Sequence, residues 1–158
     1  MKTFQDLIKD CLENVGEVYP WTLTELLNTD HPPLLLDIRE PYEFDKLHIQ
    51  GSVNVPRGIL ETASEYGYDE TVPELVNARN KEIIVICRSG NRSVLAAYTM
   101  QILGFHHVKS LKTGIKGWNE FEQPLYNKNG ELVDIDTADE ILLPHLRNDQ
   151  LPPKKQVA

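Results

Sequence analysis

The chain has 158 residues, a formal net charge of −8 and an isoelectric point near 5.1. That length and an ordinary apolar fraction predict one globular domain with a core of its own. The acidic balance argues against nucleic acid and anionic membrane surfaces as partners, and two cysteines are too few for a disulfide framework.

No apolar run approaches bilayer length, and MKTFQDLIKD lacks the apolar core of a signal peptide. A cytoplasmic, reducing setting is therefore expected. Phe4, Leu7, Ile8, Cys11, Leu12 and Val15 recur at helical spacing, which predicts an amphipathic helix ending near Gly16 with Cys11 as a packing residue. Trp21 to Leu27 reads as a second helix, with Thr22 as N-cap and Glu25 closing a capping box. His31-Pro32-Pro33 forces an extended entry into Leu34–Leu36, a buried strand ending at Asp37. Asp37 and Arg39 then stand at the end of a sheet, paired with each other or with Glu43, or carrying charge to a substrate. Pro41 to Leu47 is a helix with proline in its first turn, and Ser52 to Val55 a short strand. His48 between them is expected as a hydrogen-bonded structural residue. Ile59–Tyr66 and Val72–Asn80 are helical pieces of a polar stretch.

Glu82 to Gly104 carries the chemistry. Ile83, Ile84, Val85 and Ile86 form an unbroken, largely β-branched run suited to a strand buried on both faces. It stops at Cys87. Arg88 to Arg92 are polar or small, and from Ser93 the apolar spacing is helical until Gly104. Strand, cysteine, tight loop and helix in that order put Cys87 at the carboxyl end of a strand, where open α/β sheets place their sites. A cysteine there is commonly just a small buried residue. Here loop N–H groups entering a helix, the helix dipole, and Arg88 and Arg92 all favour a thiolate, which makes Cys87 a nucleophile.

The loop CRSGNRS at Cys87–Ser93 resembles that of the single-domain rhodaneses, or sulfurtransferases. LLLDIREPYEF at Leu34–Phe44, HIQGSVNVP at His48–Pro56 and LKTGIKGW at Leu111–Trp118 match the same family in the same order. Departures are Leu47, Gln50 and Thr113, the last where a second glycine is common. The resemblance implies a rhodanese-like α/β/α sandwich with a small parallel sheet of about five strands. It implies that Cys87 accepts a sulfane sulfur as a persulfide and that Arg88, Ser89, Gly90, Asn91 and Arg92 bind the substrate, with Asp37 and Arg39 behind them. Small sulfur-containing anions and a sulfur-carrier protein are the implied partners, with no metal and no organic cofactor. A monomer or weak homodimer is expected.

Two other readings share this architecture: a cysteine-dependent phosphatase or arsenate reductase, and a non-catalytic binding module. Those phosphatases look like cysteine, five residues, then arginine, whereas Arg92 follows Cys87 after four. Family members that serve as binding modules usually lack the cysteine, so Cys87 counts against that reading.

His106, His107 and Val108–Leu111 are expected to form the last strand, and the adjacent histidines lack a third ligand at metal-site spacing. Ile115–Phe121 is a short helix whose Trp118 belongs in the core. The resemblance runs from residue 21 to 125, leaving 1–20 as an N-terminal helical extension and 126–158 as an acidic C-terminal one. In the latter, Asn127–Gly130 reads as a hairpin turn and Thr137–Glu140 as a capping box before Ile141–Leu143. LPPKKQVA is expected to be disordered. The apolar residues of this extension are expected to dock on the domain or on a second chain, away from the site.

Overall fold

The computed structural model describes residues 1–153. Its centre is a five-stranded, wholly parallel sheet in the order β1-β5-β4-β2-β3. Helix α1 (Phe4–Leu12), strand β1 (Gly16–Val18) and helix α2 (Pro20–Leu27) lead into β2 (Leu34–Asp37), α3 (Pro41–Lys46) and β3 (Val53–Asn54). A 3-10 turn (Arg57–Ile59) and short helices α4 (Leu60–Ala63) and α5 (Pro73–Val76) cross back to β4 (Glu82–Ile86). Helix α6 (Arg92–Ile102), β5 (His107–Leu111) and α7 (Gly114–Glu120) follow. The chain then makes a small antiparallel hairpin, β6 (Leu125–Tyr126) with β7 (Leu132–Val133), and helix α8 (Ile135–Leu142).

The apolar run of β4 occupies the middle of the sheet, and Ile83, Ile84, Val85 and Ile86 are each fully buried. Removing such side chains from water stabilises by about 1.5–3 kcal/mol apiece. Their alternation sorts the core into two layers. Ile83, Val85 and Cys87 point to the layer formed with α1, α4, α5 and α6, while Ile84 and Ile86 meet Leu111, Ile115, Trp118, Ala138 and Leu142. From β2 the chain steps outward to β3, and from β4 it steps the opposite way to β5, so the switch in strand order falls between β2 and β4. Asp37 pairs in register with Ile86 across that switch, and Cys87 is the next residue. Open α/β sheets form their binding crevices at this point.

Several local expectations are corrected. The first segment is not wholly helical: α1 stops at Leu12, and Gly16–Val18 pairs with Lys109–Leu111 as an edge strand. Helix α1 is capped by Thr3, whose side chain accepts from the Asp6 N–H. Helix α2 starts one residue earlier than Trp21, with Pro20 at its first position and Tyr19 as N-cap, so Thr22 lies inside it. Proline fits that position because its missing N–H has no helical partner there anyway. Helix α8 starts at Ile135, capped by the Asp134 carboxylate accepting from the Thr137 N–H at 2.9 Å; Thr137 is capped, not capping. The expected disorder of LPPKKQVA lies, from Lys154 onward, outside the described residues. Cys11 is half-buried against the core, Trp118 is buried with its indole N–H donating to Pro124 O, and His48 Nδ1 lies 2.7 Å from Phe44 O, all as expected of structural residues.

Candidate active site

Cys87 leaves β4 with its side chain buried, 1% exposed, under the first turn of α6. The Gly90 N–H donates to Cys87 Sγ at 3.1 Å, and Ser93 Oγ lies 3.2 Å from the same sulfur. Ser93 Oγ in turn sits 2.7 Å from Ser110 Oγ on β5, and both serines are fully buried. The sulfur is thus held by one amide, one hydroxyl and the positive end of an eleven-residue helix, a setting that favours negative charge on it.

The loop has to be built this tightly. Gly90 has φ +87°, and a Cβ there would stand 2.8 Å from Thr113 N and 3.1 Å from Leu111 O. Behind the loop, the first N–H groups of α7 close on its carbonyls: Ile115 N to Cys87 O at 2.9 Å and Lys116 N to Arg88 O at 3.0 Å. Two helix N-termini therefore grip one short loop, α6 through the sulfur and α7 through the backbone. Thr113, just before α7, holds a left-handed φ of +67°, a conformation that suits the glycine its position resembles far better than a β-branched residue.

Around the loop, Asp37 with Arg39 and Glu43 with Arg92 form ion pairs, and Arg88 forms none among the described residues. Asp37 and Arg39 are buried at 0% and 2% and form a double contact: Arg39 Nη2 to Asp37 Oδ2 at 2.8 Å and Nε to Oδ1 at 3.0 Å. Arg39 Nη2 also donates to Leu47 O at 2.7 Å. This pair ties β2 to the end of α3, the Asp37–Arg39 pairing being one of the arrangements expected for these residues. Arg92 presents its fork to Glu43 with bonds of 2.9 and 2.8 Å. The Glu43 hydrogen bond is the chief cause holding the Arg92 guanidinium above its ordinary pKa; burial opposes it, and the charges of Glu43, Cys87 and Asp37 add to it. For Glu43 burial is the largest influence and pushes upward. The hydrogen bonds and charge of Arg92, the Glu40 N–H and the charge of Arg39 outweigh it and hold the carboxyl below its usual range. Arg88 is half-buried and has no carboxylate partner among the described residues.

Of the expected site residues, Cys87 and Gly90 meet directly. Arg88 lines a cleft of about 190 Å³ beside the loop together with Arg39 and Glu43. Ser89 is exposed, and Asn91 starts α6 without a side-chain cap bond. Ser93 and Ser110 were not singled out from the sequence. Ser93 ends the matched loop, and its place in the first helical turn was the available signal; Ser110 gives none. In the C-terminal extension Ala138 and Leu142 pack in the domain's core layer with Ile115 and Trp118, and Ile141, Leu142, Leu143 and His145 also line this cleft. Among the described residues no three His, Cys, Asp or Glu side chains converge as a metal would require, and no helix is long and apolar enough to cross a membrane.

A parallel α/β sheet that presents one buried cysteine in an amide-lined loop at its switch point defines a cysteine-loop protein of the α/β class. The model of the rhodanese-like domain matches residues 21–121, and the chain belongs to that family. It is 33% identical over 106 residues to "Putative sulfur carrier protein YrkF" of Bacillus subtilis (strain 168), covering 66% of this chain and 51% of that protein. It is 33% identical over 97 residues to "Adenylyltransferase and sulfurtransferase MOCS3" of Drosophila virilis, covering 59% of this chain and 21% of that one. The chain thus spans about half of the first relative's length and about a fifth of the second's. Among solved structures, a Rhodopseudomonas palustris protein of unknown function, "Possible Tyrosine Phosphatase", superposes with a TM-score of 0.67. The match covers 78% of this chain and 94% of that one at 24% identity, a likeness of fold alone.

Proposed function

We propose that this chain is a sulfurtransferase in which Cys87 carries sulfane sulfur as a persulfide. The observation behind this reading is the convergence of the Gly90 N–H and the Ser93 hydroxyl on Cys87 Sγ, at 3.1 and 3.2 Å, in a strand-to-helix turn. Donors aimed at sulfur stabilise a thiolate and, one atom further out, a persulfide anion. In the first half-reaction the thiolate attacks the outer sulfur of thiosulfate or a similar donor. A new S–S bond forms, the donor's own S–S bond breaks, and sulfite leaves with the electron pair. In the second, cyanide, a thiol or a carrier protein attacks the outer sulfur and Cys87 departs as thiolate. Sulfur passes between nucleophiles, so no oxidant, reductant, metal or organic cofactor enters.

The relatives named as a sulfur carrier and as a sulfurtransferase support sulfur handling. Arg88 is the substrate-binding cation of this proposal, since Arg92 is engaged by Glu43. That engagement also weakens the phosphatase reading, which needs a free arginine fork facing the loop. A reducing cytoplasmic setting, which keeps Cys87 a thiol, belongs to the proposal too.

The test is the intact mass of native protein before and after thiosulfate. One sulfur atom should be gained, and cyanide or dithiothreitol should remove it. Cys87→Ser should gain none, while Cys11→Ser behaves as wild type. Uptake by Cys87→Ser, or no uptake by folded wild type from any sulfane donor, sinks the proposal.

A further inference from the structure

We infer that Ser110 is a positioning residue for Cys87: its hydroxyl donates to Ser93 and thereby turns the Ser93 proton onto the sulfur. The inference rests on the proposal that Cys87 carries sulfur by way of its thiolate.

Packing alone gives no reason for a serine at this place. Ser110 pairs in register with Val85, and by strand alternation it shares a sheet face with Val108. Both valines belong to the core layer that also holds Cys87. The Ser110 side chain is fully buried, and alanine would fill the same space without taking a hydroxyl out of water. Among the described residues its hydroxyl has one hydrogen-bond partner, Ser93 Oγ at 2.7 Å.

Counting protons gives that bond a direction. Each serine hydroxyl has one proton to donate, and a thiolate only accepts. With Cys87 ionised, the Gly90 N–H and the Ser93 hydroxyl both donate to Sγ, and Ser110 donates to Ser93. Every proton then has an acceptor. With Cys87 as a thiol there is one proton too many. If the S–H donates to Ser93 and Ser93 to Ser110, the Ser110 proton has no acceptor among the described residues. If the hydroxyls keep their direction, the S–H proton has none. The row is complete only around an anion. A buried donor without a partner is unfavourable, and bonds that point the same way strengthen one another. Ser110 thus favours the thiolate without touching it. The same direction serves the second half-reaction, in which Sγ takes back its negative charge as the outer sulfur leaves. No proton is transferred along the row in either step.

The charged groups around the loop are Arg88, Arg92 with Glu43, Asp37 with Arg39, and Lys112 and Lys116 at either side of the start of α7. Substitution at Ser110 leaves all of them in place, so a change in the titration of Cys87 reads the hydroxyls.

The experiment uses the full chain in a Cys11→Ser background, so that Cys87 is the one thiol. The ultraviolet absorbance of the thiolate is titrated as the difference between each variant and its Cys87→Ser counterpart, a readout that needs no access to the buried sulfur. Ser110→Ala should move the half-point of that titration up by about one pH unit, a tenfold loss of thiolate relative to thiol. Ser110→Thr keeps the hydroxyl and should titrate with wild type. A Ser110→Ala half-point equal to that of wild type overturns the inference, and so does a folded threonine variant that shifts as far as alanine. Thiosulfate loading of Cys87, read by mass, is followed in parallel. A half-point that shifts while no sulfane donor loads Cys87 supports the hydroxyl row and removes the sulfurtransferase reading. A fixed half-point with normal loading overturns the row alone.

Discussion

Gly114 lies directly against the backbone of Cys87. A methyl group at Gly114 would overlap the Cys87 carbonyl oxygen and stand 2.6 Å from the Arg88 carbonyl carbon, and the residue already has φ +59°. Both the space and the backbone conformation demand glycine. The position of Cys87 is therefore set from the side of α7 as well as from β4.

Gly114→Ala should consequently act on the cysteine loop before it acts on the core. The backbone must shift to relieve the overlap, which breaks the Ile115 and Lys116 bonds to the loop carbonyls. Overpacking of this kind costs about 1–3 kcal/mol, and left-handed strain adds to it. Denaturation should show that loss, and sulfur loading should fall further than the residual folded fraction explains. Loading that simply tracks the folded fraction counts against positioning by α7.

Ser93→Ala removes the hydroxyl 3.2 Å from Cys87 Sγ and leaves the buried Ser110 hydroxyl without its 2.7 Å partner. An orphaned buried hydroxyl costs about 1–3 kcal/mol. Adding Ser110→Ala should recover much of that stability, because both polar groups are then gone. Reactivity should not recover, because the donor to sulfur is still missing. A double variant restored in both stability and loading rate would show that Ser93 serves the core and not the thiolate.

The two loop arginines should separate in kinetics. Arg88→Ala is expected to raise KM for thiosulfate with little change in folding, since no carboxylate among the described residues holds Arg88. Arg88→Lys should rescue partly at best, for a point charge lacks the planar fork. Arg92→Ala should chiefly destabilise, because it leaves the part-buried Glu43 without its partner. Equal KM effects with unchanged stability for both would return Arg92 to the substrate.

Glu43 gives the pH dependence its sign. Its carboxyl is held below the ordinary range in the folded state, so its contribution is present above the unfolded value and is lost as pH falls through the folded one. Glu43→Gln should be less stable than wild type at neutral pH. The gap should close in acid, below the unfolded carboxyl's value of about 4.3. Urea midpoints from neutral to acidic pH measure it, and a gap that is constant or widens in acid contradicts the ion-pair assignment.

Much of the fold and the heart of the site were legible in the sequence. The apolar run at Ile83–Ile86, the polar loop and the helical spacing from Ser93 are local signals, because burial on both faces and a helix start each leave a short-range pattern. They place Cys87 at a strand end, and the loop motif carries the family. The Asp37–Arg39 pair, two residues apart, was within the same reach.

What escaped was non-local. Strand β1 has three residues including Glu17, too short and too polar to show a period, and it is a strand because β5 offers it backbone partners. Ser110 reads as an ordinary polar residue of a half-buried strand until β5 brings it beneath Ser93. Arg92 and Glu43 are 49 positions apart, so their pairing, and with it the proposed division of labour between Arg88 and Arg92, depends on how α3 and α6 pack. The same holds for Ile141–His145. Their apolar residues announce that something must be covered, but only the packing of α8 on α7 puts them at the mouth of the cleft. Periodicity reports what each segment buries; which segments then meet is decided by register and packing across the whole chain.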